Sequence, residues 1–336
     1  MYQRIINEIK SNLGDNKDLN RKYLLSEIEK YKTHEYNKEI IREISRMLWD
    51  CLSDLEKEEY IEITEAENPI IDILEEISSD IQMNELEKAL DKMDSFMETF
   101  IPMYEDDEIS EYHSFTNPLE EVLFDTYVDA KKEPRYIPDS QPYTDLYYIY
   151  GYLLVENNRL DEAEENLKHA LKINPVSARI ILELSEIYKI KTPTFNKFFM
   201  YTTQALTYAY YPADIARCYR NLGHYYIEED QLDVAEALFK YSLTWELSPM
   251  AYSELQYIKT KNGDILLTDD ECIEIIKKKN IPVEPNPFIL KTLDELARDY
   301  EDKYYLNQSL YFYRIIYNLK KDEKTLMKIQ EIENKI

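Results

Sequence analysis

The sequence predicts an all-α fold built from repeated helix-turn-helix units, and three observations carry that expectation. Only four glycines occur in 336 residues, too few for sandwiches, propellers or barrels, whose turns consume glycine. Apolar residues recur at three- and four-residue spacing through most of the chain, the period of an amphipathic helix. The pattern of Thr144 to Ser177 also returns: a shift of 72 carries Gly151 onto Gly223, Leu154 onto Tyr226, Ala163 onto Ala235 and Leu167 onto Phe239. A further 74 reaches Ala297, Tyr300, Ser309 and Tyr313. A fixed-period match decides architecture before any local reading does.

In chain order, Tyr2, Ile5, Ile6, Ile9 and Leu13 mark one face of a first helix, with Gly14 at its C-cap. A second helix starts at Asp18 or Asn20 and carries Tyr23, Leu24, Ile28 and Tyr31. A third runs from about Tyr36 to Leu55 with a wide apolar stripe from Ile40 to Leu55. Asn68-Pro69 opens a helix from Ile70 to Ser79, and Asn84 caps another from Glu85 to Phe100. Asn117-Pro118 opens one more, to about Ala130. Pro134, Pro138 and Pro142 then make an extended, stiff segment, and the domain boundary is placed there. Residues 1–143 are read as an acidic helical N-terminal region and 144–336 as the repeat domain.

Within the first unit, Gly151 and Ala163 let two backbones approach, Tyr147, Tyr150, Leu154 and Leu167 fill the wedge, and Pro175 stops the second helix. This spacing resembles the tetratricopeptide repeat, a 34-residue helix-turn-helix unit. A looser copy follows, with Leu184, Ser185, Tyr188, Tyr201 and Ala205 and a lengthened turn at Lys191 to Thr194. The resemblance covers about the last 190 residues. It implies a right-handed superhelix. Ser248-Pro249 opens a shorter pair joined by Asn262-Gly263, and Thr268 and Glu271 have capping-box spacing for its second helix. After the Pro282, Pro285 and Pro287 connector comes the last unit, and Asp322 to Ile336 suits a capping helix over the final apolar face.

The net charge is −27 and is unevenly spread. Asp54 to Asp125 holds 24 Asp and Glu against Lys57, Lys88 and Lys92, a net of −21. Such a surface repels phosphate backbones, so no nucleic-acid partner is expected. The segment reads as a solvated face, with docking of a basic partner as the alternative. Cys51, Cys218 and Cys272 are scattered and read as buried, reduced thiols. No apolar run approaches a membrane span and Met1 to Leu13 is no signal peptide, so a cytoplasmic protein is expected, with no membrane partner.

Chemistry has no visible foothold. No glycine-rich phosphate loop, HExxH or GxSxG motif is present, and His34, His113, His169 and His224 are scattered. Glu105-Asp106-Asp107-Glu108 lacks the ordered ligands and central glycine of a calcium-binding loop. No cofactor, metal or catalytic residue is assigned. The family resemblance implies that the first helix of each unit lines a concave face: Asp145, Tyr148, Tyr152 and Glu156, then Arg179, Leu182, Glu186 and Lys189, then Arg217, Arg220, His224 and Glu228. From these, Tyr148, Tyr152, Arg179, Lys189, Arg217, Arg220 and His224 are the candidate peptide-binding residues. Tyr148 and Tyr152 stand where the carboxylate-clamping members of the family carry Lys and Asn, which speaks against a cochaperone role. The expected function is a protein or peptide-binding scaffold of unidentified partner and oligomeric state. The alternatives are a peptide-sensing bacterial regulator with a helical N-terminal effector region, and an enzyme whose site lies unrecognised in the N-terminal region.

Overall fold

A small residue facing a large one sets the geometry of the helical pairs that carry Gly151 and Gly223. The computed structural model describes residues 2–57, 68–191, 195–263 and 267–336, and two compact units emerge: Met1–Pro69 with Glu105–Ser110, and Ile70–Tyr104 with Glu111–Ile336. The lengthened turn expected at Lys191 to Thr194 falls largely outside the described residues.

In the first unit, α1 (Tyr2–Ser11), α2 (Lys17–Tyr31) and α3 (Asn37–Asp50) close around Tyr2, Ile6, Ile9, Leu24, Ile40, Ile44, Met47 and Cys51. The second helix begins earlier than Asp18, because the Asn16 side chain caps it by accepting from Leu19 N at 3.1 Å. Asn20 instead reaches back, its amide bonded to both Gly14 N and Gly14 O. The third helix stops short of Leu55 because Ser53 and Glu56 cap a new turn, Glu56 N donating to Ser53 Oγ while Glu56 Oε2 accepts from Ser53 N.

The second unit runs as α4 (Pro69–Gln82), α5 (Leu86–Thr99), β1 (Ser110–His113), α6 (Pro118–Tyr127), β2 (Glu133–Tyr136), α7 (Tyr143–Glu156), α8 (Leu160–Ile173), α9 (Ala178–Lys191), α10 (Asn196–Tyr208), α11 (Pro212–Glu228) and α12 (Leu232–Trp245). It ends with α13 (Pro249–Asn262), α14 (Asp269–Lys278), α15 (Pro287–Asp302), α16 (Leu306–Lys320) and α17 (Glu323–Glu333). This is an all-α repeat solenoid of helices packed in neighbouring pairs. Its β1–β2 ladder, where a loop was expected, admits Pro134 because a two-stranded ribbon leaves one side of each strand unpaired.

Four turns between paired helices share one geometry. Asn84, Asn158, Asp230 and Tyr304 each take a left-handed φ near 60°, and each is followed two residues later by a leucine that opens the next helix. In each, the residue before that leucine bonds back five positions, Glu85 N to Asp80 O, Arg159 N to Leu154 O, Gln231 N to Tyr226 O and Tyr305 N to Tyr300 O. This is the Schellman pattern with Asn, Asp or Tyr doing what glycine usually does. Asn84 is therefore a turn residue and not the cap expected of it. The first of these turns joins α4 and α5, within the stretch read as the acidic region.

The same register places a small residue against a large one sixteen positions on: Gly151 with Leu167, Ser185 with Tyr201, Gly223 with Phe239, Ala297 with Tyr313. In the α4–α5 pair the equivalent positions are Ile77 and Met93, both buried. A Cβ at Gly151 would lie 2.5 Å from Leu167 Cγ, and one at Gly223 2.8 Å from Phe239 Cε2. Thr268 and Glu271 do form the predicted capping box, and Asp322 caps α17.

One helix ties the array together from outside its pairs. Along α6, Leu119, Leu123 and Phe124 are buried in the main core, and Glu120 is 3% exposed. Glu120 accepts from Thr116 N, Thr116 Oγ1, Asn174 Nδ2 and Tyr210 OH at 2.7–3.0 Å. At the far end, Asn286 Nδ2 donates to Tyr127 OH at 3.4 Å, and Tyr127 meets Tyr208 and Phe288 edge-on.

Gly151→Leu and Gly223→Leu are each expected to cost about 1–3 kcal/mol by overpacking, more than the ~1 kcal/mol of helix propensity regained on leaving glycine. Thermal melts read this directly. Unchanged melting of both variants contradicts the close crossing.

Candidate functional site

The candidate residues lie on the first helices of three successive pairs, α7, α9 and α11, which present their N-terminal turns side by side. Ordinary amphipathic patterning puts them there, since each of these helices buries one wide face against its partner and leaves a narrower strip in the open. The strip is half-buried at Tyr148 and Tyr152 and exposed at Arg179. Leu182, expected on the same strip, is fully buried in the core. A helix packed on both neighbours has little face to spare.

The cations divide into neighbourhoods. Arg179 lies 3.7 Å from Asp214 and stacks over the Tyr211 ring at 4.8 Å. Arg217 donates to the buried Glu183 at 2.6 Å, with Glu186 at 3.9 Å. Lys189 also meets Glu186, at 3.8 Å, while its ammonium lies 5.8 Å from the Phe198 ring centre. Arg220 turns away to Glu246 at 2.9 Å. His224 lies edge-on to Phe195 and Phe198 with Glu228 at 3.8 Å. The structure thus gathers Tyr148, Arg179 and Arg217, while Arg220 belongs to another contact. Every one of these cations faces a carboxylate of the same chain.

Where α7, α9 and α11 begin, a small cavity of about 30 Å³ opens among Glu120, Asp145, Tyr148, Arg179, Tyr211 and Asp214. Burial pushes the Asp145 carboxyl above its usual range, helped by Glu120. Burial also raises Asp214, against the pull of Arg179. The Tyr148 hydroxyl is pushed far up, by burial first and Glu183 second. Glu120, Tyr211 and Asp214 were not singled out in the sequence, since Glu120 is one of 24 acids in its segment and no period connects it to the repeats. Asp214 was legible as the first-turn acid of α11, in the same place as Asp145 in α7. Among the described residues, no group of three His, Cys, Asp or Glu side chains is arranged to hold a metal. Burial raises the Cys218 thiol strongly and Cys272 to about 11, which leaves both unreactive.

A family model described as the tetratricopeptide repeat matches residues 144–177, which are α7, its turn and α8 with the flanking residues. Residues 144–177 are thus matched as one tetratricopeptide unit. No curated protein matches the chain. The tetratricopeptide unit so identified is the one that contributes Tyr148 and Tyr152, and the α11–α12 pair repeats its turn and its crossing. No described helix is long and apolar enough to cross a membrane.

Two outcomes follow from the pairing. Arg217→Met strips the partner from a buried carboxylate and is expected to cost about 3–5 kcal/mol, whereas Arg179→Ala, at a longer contact whose arginine is exposed, is expected to cost less. Chemical denaturation of the two variants separates them, and equal losses contradict the assignment. His224 is held below its ordinary pKa, by burial first and Lys189 second. Its unfolded form therefore takes up a proton first on acidification, so stability is intact above about pH 6.5 and declines below it. His224→Asn should lose this part of the slope in urea titrations at stepped pH.

Proposed function

We propose that the strip on α7, α9 and α11 is a peptide-binding surface of an interaction scaffold. Tetratricopeptide arrays serve broadly as protein-interaction scaffolds, and the observation that favours this strip is the meeting of Tyr148 and Arg179 at a cavity at the helix starts, with the half-buried Tyr152 one turn further along α7. Aromatic side chains offer large contact area at small entropic cost. Because Arg217 and Lys189 are already matched by Glu183 and Glu186, the strip offers shape and hydrogen bonds more than free positive charge. Arg179, itself exposed and at a longer contact with Asp214, is the cation most available to a partner. Arg220 contributes least, being turned toward Glu246. Nothing in the geometry favours an enzymatic reading or the effector role in residues 1–143.

A photo-crosslinking amino acid placed at Tyr152 should capture a discrete partner in extract of the native cell. The same group at the exposed Glu165 on α8 serves as the control. Capture from position 152 that is weakened by Arg179→Ala supports the strip; equal capture from both positions counts against it.

A further inference from the structure

At the other end of the array lies a groove of about 750 Å³ walled by α15 and α17 and floored by α16. Leu290, Tyr313, Ile316 and Met327 give it apolar surface, and Met327 is 61% exposed although it lies on a helix whose Ile329 and Ile332 are buried. Around the rim stand five cations, Lys291, Arg298, Lys320, Lys324 and Lys328, against Asp294, Asp322 and Glu331. The three carboxylates are engaged: Asp294 with Arg298 at 2.7 Å, Glu331 with Lys328 and Lys335, and Asp322 as the cap of α17. Lys324 forms no ion pair among the described residues, and Lys320 forms no salt bridge there although its charge helps hold the Asp322 carboxyl down. This reverses the situation on the α7–α11 strip, where every candidate cation is matched.

Lys324 is also poorly placed for stability. It sits in the first turn of α17, where the helix dipole disfavours a positive charge. In a chain of net charge −27, a free lysine at a helix N-terminus beside an exposed methionine is a local contrast that folding does not require.

We infer that this groove binds an acidic amphipathic helix of a partner protein. The apolar floor takes a stripe of side chains at helical spacing, and Lys324 with the rim lysines beside it meets carboxylates on its flanks, the helix-in-groove mode of recognition. A flat bilayer cannot reach a floor recessed between two helices. The three rim carboxylates disfavour a continuous line of phosphates.

The test uses the full chain and a fluorescent sixteen-residue helix of Glu and Leu, with the leucines on one face. Controls are a scrambled peptide of equal composition and a Lys/Leu counterpart. The ordered acidic peptide should bind at least tenfold more tightly than either control, and its affinity should fall steeply from low to physiological salt. Lys324→Glu relieves the dipole conflict, so it should melt no lower than the parent, yet weaken binding at least tenfold. Met327→Asp should weaken it independently, and Tyr152→Ala on the distant strip should not. Equal binding of acidic and basic peptides overturns the inference. So does unchanged binding by both groove variants, preference for anionic vesicles or single-stranded RNA, or self-association of the parent that Lys324→Glu abolishes. Failure of the α7–α11 strip in crosslinking leaves this result untouched.

Discussion

Backbone approach within the helical pairs of the repeats is the constraint on which most of the second unit depends. Gly151 under Leu167 and Gly223 under Phe239 leave no room for a Cβ, so the large side chain rests on bare backbone and the two helices cross closely. Ser185 and Ala297 hold the same register with a little more bulk. The shared turn at Asn158, Asp230 and Tyr304 fixes where the second helix starts, and so which residue meets the gap. Turn and crossing are two halves of one specification.

That specification explains what could be read from the chain. Glycine, alanine and the following large residue recur at fixed offsets, so the units containing Gly151, Gly223 and Ala297 were legible, as was the capping box at Thr268. The α4–α5 pair was not, because Ile77 and Met93 replace the small-large contrast with two medium residues while the turn at Asn84 persists. A turn conserved in conformation through Asn, Asp and Tyr leaves only a weak trace in sequence. The candidate strip was legible in its outline, since first-helix positions follow from the period. Its electrostatics were not, because Glu183 with Arg217, Glu246 with Arg220 and Asp214 with Arg179 are paired by three-dimensional register.

The acidic character of the chain looks different once side chains are placed. Asp80 is buried, accepts from Lys88 and forms an ion pair with Lys92, so two of the three cations in the acidic segment serve one carboxylate. Glu120 is buried as well, with four donors around it. Both are integral to packing and neither belongs to a solvated face. Their neighbours on the same helices remain exposed, which is how a segment of net −21 can be part structural and part solvating.

Stacked pairs touch only their neighbours, so an array of this kind is by default an elastic rod that bends a little at every joint. Here α6 acts as a splint. Its Glu120 grips the joint at Asn174 and, with Asn117, the joint at Tyr210, and its Tyr127 grips the joint at Asn286. Three joints spread along the array are thereby held at fixed spacing by one rigid ten-residue rod. Even α16, beyond the splint, is tied back to the same stretch, its Tyr311 OH lying 2.6 Å from Tyr211 OH, so the array closes on its own first helices as well as on its neighbours.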